Sequence, residues 1–269
     1  MSADIKPIGI FDSGVGGLTV LKVLREHLPG ERFLYLGDTA RLPYGSKSAT
    51  TVRRYALNAA AHLVARDVKL LVVACNTASS EALGEVTAAS PVPVVGVVEP
   101  GVRAAIATGA RRIGVIGTEG TVRSEAYQRA LARLAPEVHV RAEPCPLFVP
   151  LAEEGWGDHP VTDEIACHYL GPLLDWGAEA LILGCTHYPL LKPSLQRVVG
   201  PEVMLVDSAS SVAEAVTGDH SELMNPSRGD DGDVHIELTD ASDRFLRILR
   251  AILGRDPEHL EVVDIEGVA

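Results

Sequence analysis

What this chain has little of narrows its class first. Cysteine is scarce: four residues in 269, at 75, 145, 167 and 185. That is no disulfide framework, and the spacing matches no Cys-based zinc motif. Positive charge is scarce too, with 24 Lys and Arg against 36 Asp and Glu and a net charge of −12. Phosphate-neutralising surfaces are built from Lys and Arg, so no nucleic-acid partner is expected. No apolar run approaches the roughly 20 residues that span a bilayer. Residues 70–74 and 92–98 are strand-sized, and no membrane contact is expected. Met1-Ser2-Ala3-Asp4-Ile5-Lys6-Pro7 has no basic region leading into an apolar core. A cytoplasmic protein with reduced thiols is the expectation.

Motif templates are absent as well. Gly14-Val15-Gly16-Gly17 begins like a dinucleotide fingerprint, but Thr19 stands where the third glycine is needed. Gly45-Ser46-Lys47-Ser48 lacks the upstream glycine of a phosphate loop, and no His-Glu-x-x-His occurs. Only five lysines are present, none in a pyridoxal-phosphate setting. Chemistry without a metal or cofactor is expected.

What is there is an α/β pattern. Short apolar runs (Ile8–Phe11, Phe33–Leu36, Leu70–Ala74, Val94–Val97, Arg112–Ile116, Val138–Ala142, Ala180–Leu183, Val203–Val206) predict strands. Helical periodicity separates them, as in Leu18–Leu28 and Val52–Ala65. The strand runs are continuously apolar rather than alternating, as in parallel sheets covered on both faces.

An internal repeat adds organisation. Ile8-Gly9-Ile10-Phe11-Asp12-Ser13-Gly14 resembles Ile113-Gly114-Val115-Ile116-Gly117-Thr118-Glu119, and Val73-Ala74-Cys75-Asn76-Thr77 resembles Leu183-Gly184-Cys185-Thr186-His187. Two pseudo-symmetric, flavodoxin-like α/β domains with parallel sheets facing a central cleft are predicted. The boundary falls near Glu99-Pro100-Gly101. Thr217–Asp233, rich in Gly and acidic residues, reads as a solvated loop, including its Asp230-Asp231-Gly232-Asp233 run. His235–Thr239, a helix over Ser242–Leu253 and Leu260–Asp264 then form a β-α-β tail that packs back on the first domain. The first domain is thus 1–98 plus 212–269, and the second 99–211.

Ligands of open α/β sheets sit beyond the carboxyl ends of the strands. Asp12-Ser13, Asp38-Thr39, Cys75-Asn76-Thr77, Thr118 with Thr121, and Cys185-Thr186-His187 all fall there. Either cysteine alone reads more readily as a small buried hydrophobe. Two at corresponding positions of a repeat would approach a shared cleft from opposite sides. Such a pair suits removal of a proton from a carbon stereocentre and its return on the other face. A thiol's reference pKa near 8.5 lies close to the operating pH that general acid–base chemistry favours. Asp12 beside Cys75 and His187 beside Cys185 are candidate helpers. Plainer alternatives are an N-cap over Gly14–Val20 for Asp12, a buried structural role for His187, and ordinary capping for the hydroxyls. Ser13, Thr77, Thr118, Thr121 and Thr186 near helix starts would suit a zwitterionic, acidic ligand. Cys145, in Pro144-Cys145-Pro146, and Cys167, in a helical pattern, read as packing residues.

At these positions the sequence resembles the glutamate racemase family. Asp12-Ser13-Gly14-Val15-Gly16-Gly17, Pro43-Tyr44-Gly45, Cys75-Asn76-Thr77-Ala78 and Gly184-Cys185-Thr186-His187-Tyr188-Pro189 carry the likeness. Gly117-Thr118 through Thr121-Val122, and Cys145–Pro150 with Glu153, extend it over about residues 7–210. The resemblance implies cofactor-independent interconversion of L- and D-glutamate for bacterial peptidoglycan, in a homodimer. It implies that Cys75 exchanges the α-proton with D-glutamate and Cys185 with L-glutamate, helped by Asp12 and His187. Asp38 and Glu153 match further acidic positions. Asp12, Ser13, Tyr44, Gly45, Asn76, Thr77, Thr186 and His187 are implied to hold substrate, with Thr118 and Thr121 on a carboxylate. No long N-terminal extension is present, so regulation by a cell-wall precursor, found in members that carry one, is not expected.

Other readings stay open at this stage. Aspartate racemases share the two cysteines, a two-lobed amino-acid-binding module shares the architecture, and a Cys–His hydrolase would need only one thiol.

Overall fold

Five consecutive buried residues, Ile8–Asp12 (β1), form an interior strand of the first of two parallel sheets in the computed structural model, which describes residues 6–225 and 233–265. The remaining strands are β2 (Phe33–Gly37), β3 (Leu70–Val73), β4 (Val94–Gly96), β5 (Arg112–Gly117), β6 (His139–Pro144), β7 (Ala180–Gly184), β8 (Met204–Asp207), β9 (Val234–Leu238) and β10 (His259–Val262). The helices are α1 (Leu18–His27), α2 (Ala49–Ala65), α3 (Asn76–Ala89), α4 (Val98–Ala107), α5 (Glu119–Arg123), α6 (Ala126–Leu134), α7 (Phe148–Glu153), α8 (Pro160–Asp175), α9 (Lys192–Val199), α10 (Ser208–Asp219) and α11 (Asp243–Leu253). The predicted strands thus form within about two residues of their expected ends.

The first sheet runs β10-β9-β2-β1-β3-β4 and the second β6-β5-β7-β8. Strand order β2-β1-β3-β4 in one is β6-β5-β7-β8 in the other, so the sequence repeat is a topological repeat. The register repeats as well. Ile8 pairs with Leu70 between β1 and β3, and Ile113 with Ala180 between β5 and β7. These are the residues that the repeat equates, and it carries Cys75 onto Cys185.

The apolar runs of β1, β2, β3, β5 and β7 bury both faces, whereas β6, β8 and β10 are partly exposed. In β1, Ile8 and Ile10 pack under α1, α10 and α11, while Phe11 faces the side covered by α2 and α3. On α11, Phe245, Ile248, Leu249 and Ile252 recur at helical spacing and are buried, whereas Arg244, Arg247 and Arg250 are exposed. The tail extends the first sheet, with β9 on β2 and β10 on β9.

Two expectations need correction. Thr217–Asp219 completes α10, Thr217 Oγ1 bonding back to the Ala213 carbonyl, and Ser221–Leu223 forms a 3-10 turn. Asn225 is tied through its amide and side chain to the buried Glu31, which pairs with Lys69 at 2.7 Å. The segment to residue 225 is therefore solvent-facing, as expected, but largely helical and anchored at Asn225 rather than a loop throughout; 226–232 lie outside the described residues. Cys167 is exposed on α8, because the buried face of that helix is taken by Thr162, Ala166, Leu170 and Leu173. Cys145 is buried, as expected of a packing residue.

Candidate active site

Each sheet delivers a cysteine to the same place. Cys75 follows β3 and Cys185 follows β7, and both line one cavity together with Ser13, Tyr44, Gly45 and His187. Its free volume is about 40 Å³, far below the roughly 300–1,000 Å³ of drug-sized sites.

On the first sheet's side, Cys75 occupies the N-cap of α3. Its Sγ accepts from the Ala78 amide and its thiol donates to Ser13 Oγ, both at 3.4 Å. Burial, reinforced by the negative charge of Asp12, pushes this thiol up to about 12. In the described state it is an acid. Asp12 is fully buried at the end of β1, and desolvation raises its carboxyl against the opposing pull of His187 and of the Gly17 and Gly14 amides. It does not cap α1, whose N-cap is Gly17 with no side-chain bond. Instead its oxygens accept from the Gly14 amide at 3.0 Å and from Thr186 Oγ1 at 3.3 Å, a bond that joins the two sheets' loops.

On the second sheet's side, Cys185 Sγ lies 3.8 Å from His187 Nδ1. His187 Nε2 faces Glu153 Oε1 at 3.3 Å, without hydrogen-bond geometry, and Arg244 stands 3.0 Å from the other oxygen. Burial opposes the charge on His187, but its contacts with Cys185 and Glu153 and the Asp12 charge outweigh this and raise it to about 10. Burial acts to raise Glu153, yet His187 and Arg244 hold it below the usual carboxylate range. Groups on both sides of the buried ring thus favour its protonated form beside the sulfur.

The polar wall between the cysteines is a hydroxyl triangle. Thr77 and Thr118 are 2.9 Å apart, and Thr121 is 3.3 Å from Thr77 and 3.1 Å from Thr118. Thr118 also caps α5 by accepting from the Thr121 amide, so capping and cavity lining coexist in one residue. Thr121 sits behind the other two, nearly fully buried and outside the cavity lining. Asn76 Oδ1 is claimed by Tyr127 and Ser208, while its buried Nδ2 has no partner. A buried donor left unpaired in a cavity wall is a place for a ligand's acceptor.

Asp38 is buried but lies outside the cavity lining. Its carboxylate takes Tyr44 Oη at 2.5 Å, and Arg41 Nε and Thr239 Oγ1 at 3.0 Å each. It holds Tyr44 rather than facing the thiols. Gly45 packs against the triangle so closely that a Cβ there would lie 2.5 Å from Thr118 Cβ.

Residues 18–216 match the Asp/Glu/hydantoin racemase family. The chain belongs to that family. It is 54% identical over 254 residues to the glutamate racemase of Geobacter metallireducens, with 93% of each chain covered. With that of Syntrophus aciditrophicus it shares 48% over 267 residues, covering 98% of each. Among solved structures, glutamate racemase from Francisella tularensis in complex with D-glutamate superposes with a TM-score of 0.91 at 35% identity, covering 98% of this chain and 99% of the other. No helix among the described residues is long and apolar enough to cross a membrane.

Three contributors went unread in the sequence of this racemase-family chain. Arg244 carries no local signal linking it to Glu153. Gly16 stood in a glycine run read as a failed dinucleotide fingerprint and as part of the family likeness, without a role of its own, yet a Cβ there would meet Thr186 Oγ1 at 2.5 Å and His187 Nδ1 at 2.6 Å. Tyr127, on α6, is a buried partner of Asn76 that only the tertiary fold brings near.

Proposed function

We propose that the chain racemises glutamate without a cofactor, using Cys75 and Cys185 as acid and base on opposite faces of the α-carbon. The observation that carries this reading is the placement of two thiols at repeat-equivalent strand ends, one from each sheet, in one small cavity. The domain division carried forward, 1–98 with 212–269 against 99–211, puts one thiol in each lobe.

From L-glutamate, Cys185 as thiolate takes the α-proton while His187 balances the sulfur's charge before transfer. The carbanion then takes a proton from the Cys75 thiol on the other face, giving D-glutamate. Cys185 ends as thiol and Cys75 as thiolate, and the reverse direction starts from that state. Burial keeps Cys75 protonated until the substrate's charge develops. Amides and hydroxyls of Ser13, Asn76, Thr77, Thr118 and Thr186 bind the carboxylates, with Thr121 orienting the pair in front of it. Preplaced donors in a small cavity lower the cost of the carbanion. D-glutamate bound to the Francisella relative supports the substrate. Supply of D-glutamate to peptidoglycan by a cytoplasmic homodimer follows the family likeness.

The test is incubation of pyridoxal-phosphate-free protein with L-glutamate in D2O, following α-hydrogen exchange and optical rotation. Racemisation is expected, and its loss in both Cys75→Ala and Cys185→Ala. Full activity in either variant overturns the two-thiol mechanism; turnover of aspartate alone keeps the mechanism and changes the substrate.

A further inference from the structure

Two identical-pattern triplets lie side by side at the edge of the first sheet. His235-Ile236-Glu237 is on β9 and His259-Leu260-Glu261 on β10. The strands are parallel, with His235 paired to His259 and Glu237 to Glu261. Residues two apart on a strand share a face, and registered partners of parallel strands point the same way. Two imidazoles and two carboxylates therefore form a square array on one face of the sheet.

That arrangement sets two carboxylates side by side. Like charges directly across a strand pair repel, and Glu237 and Glu261 are such a pair. Glu237 is fully buried and is met from α2 by His62, at 2.6 Å, and by Arg66. Glu261 is half exposed and faces His235, whose Nε2 is 3.6 Å from Glu261 Oε2. That Nε2 atom is shielded from solvent and makes no hydrogen bond. One ligating atom from each of His235, Glu237 and Glu261 falls within 4.8 Å of the other two. In tetrahedral zinc sites with bonds near 2.0–2.1 Å, ligand atoms sit about 3.3 Å apart. The His235–Glu261 separation is close to that already.

We propose that His235, Glu237 and Glu261 bind one divalent cation of borderline softness, with zinc as its representative. One imidazole and two carboxylates form a nitrogen–oxygen donor set that suits such ions. Three protein ligands leave a fourth tetrahedral position for water. The surroundings are those of a supported ligand set. Each carboxylate oxygen has two lone-pair directions, so Glu237 can ligate while it still accepts from His62 and Arg66, which fix its orientation from behind. The His259 ring stacks on His235 at 5.8 Å between centroids and 10° between planes, restricting the rotation of the ligating ring.

The cation's role is structural. It bridges Glu237 and Glu261 and fastens β10, a four-residue edge strand, to β9. Between those strands runs α11, whose Arg244 reaches Glu153, so the tail so fastened is the one that touches the cavity's wall. The ligands themselves lie outside the cavity lining, and the ion takes no part in proton transfer.

The test uses the full, untagged chain after chelator treatment, in a Cys75→Ser, Cys185→Ser background so that cavity thiols do not compete for metal. Zinc titrated by calorimetry is expected to bind at one equivalent and to raise the thermal midpoint. Cobalt(II) in its place is expected to give visible d–d absorption without thiolate charge-transfer bands. Glu261→Gln and, separately, His235→Gln are each expected to weaken zinc binding about tenfold or more and to abolish the midpoint rise. Both side chains are partly exposed, and circular dichroism checks that each variant folds. In the wild-type cysteine background both variants are expected to keep the basal racemase rate. Absence of saturable zinc binding overturns the proposal, and so does binding of unchanged affinity in both variants.

Discussion

Arg244, on α11, stands 3.0 Å from Glu153, on the short helix α7 behind His187. Through it a surface cation from the first sheet's tail acts on a buried pair of the second sheet. Glu153 is held below the usual carboxylate range by His187 first and by Arg244 after it. Such a depressed carboxylate keeps its charge above its own pKa and loses it as pH falls through that value. Arg244→Ala should therefore move the acid limb of the kcat/KM profile to higher pH. Because Arg244 is 43% exposed, the loss at neutral pH should be about two- to fivefold, the range of a screened ion pair. Arg244→Lys should recover part of it. An acid limb unmoved in the alanine variant would show that the contact does not reach the chemistry.

Glu153→Gln should move the other limb. His187 is raised from 6.5 to about 10 with Glu153 among the causes, so removing that charge lowers it. If the imidazolium is the working form, the basic limb of kcat/KM shifts to lower pH. Stability follows the same sign. A raised histidine contributes fully below about 6.5 and loses that contribution as pH climbs toward 10. The wild-type advantage in thermal midpoint should thus be widest between about 4.5, where the ordinary glutamate ionises, and 6.5, and should close toward pH 10. A gap that does not vary with pH would assign Glu153 to packing alone.

The sheets and the cysteine pair were legible because their signals are local. A strand such as Leu70–Val73 is an apolar run ending in small polar residues, and Cys75 lies two positions past its end. The repeat then placed Cys185 without further information. What stayed unread depends on how the lobes fit. Gly16 matters because Thr186 and His187 press on it from the other sheet, and Arg244 because α11 returns to the cavity wall. Asp38 was correctly placed at a strand end, yet its direction was not readable, since Tyr44, Arg41 and Thr239 take its oxygens only in the folded state. Thr217–Asp219 shows the opposite error, in which a glycine near a helix terminus looked like the start of a loop.

The Tyr44–Asp38 bond separates a positioning role from an acid–base role for Asp38. Tyr44 lines the cavity and Asp38 does not. Tyr44→Phe removes a donor from a buried carboxylate, at a cost of about 1–3 kcal/mol in stability. It should raise KM and leave the pH profile of kcat in place. Asp38→Asn keeps an acceptor for Arg41 and Thr239 and should retain kcat within about tenfold, below the roughly 10²–10⁴-fold typical of a lost acid–base group. A kcat loss of that larger size in Asp38→Asn, with Tyr44→Phe unaffected, would return Asp38 to the catalytic set.

Gly16→Ala tests whether the lobes must meet as closely as they do. The added Cβ would lie 2.5 Å from Thr186 Oγ1 and 2.6 Å from His187 Nδ1, far inside van der Waals contact, so one loop must withdraw. Thr186 donates to Asp12 across the same gap, and His187 sits 3.8 Å from Cys185. Withdrawal therefore lengthens the inter-sheet bond and moves the imidazolium from the sulfur it faces. Overpacking of this kind costs about 1–3 kcal/mol of stability. Because a displacement near 1 Å in a reacting constellation can cost about 10²-fold in rate, kcat/KM should fall by that order while the fold persists. Circular dichroism and thermal unfolding check the fold, and D2O exchange reads each half-reaction. Removal of the α-proton from L-glutamate, assigned to Cys185, should suffer more than removal from D-glutamate, assigned to Cys75. Equal losses in both directions would mean that Gly16 serves closure of the cavity as a whole rather than the placement of His187.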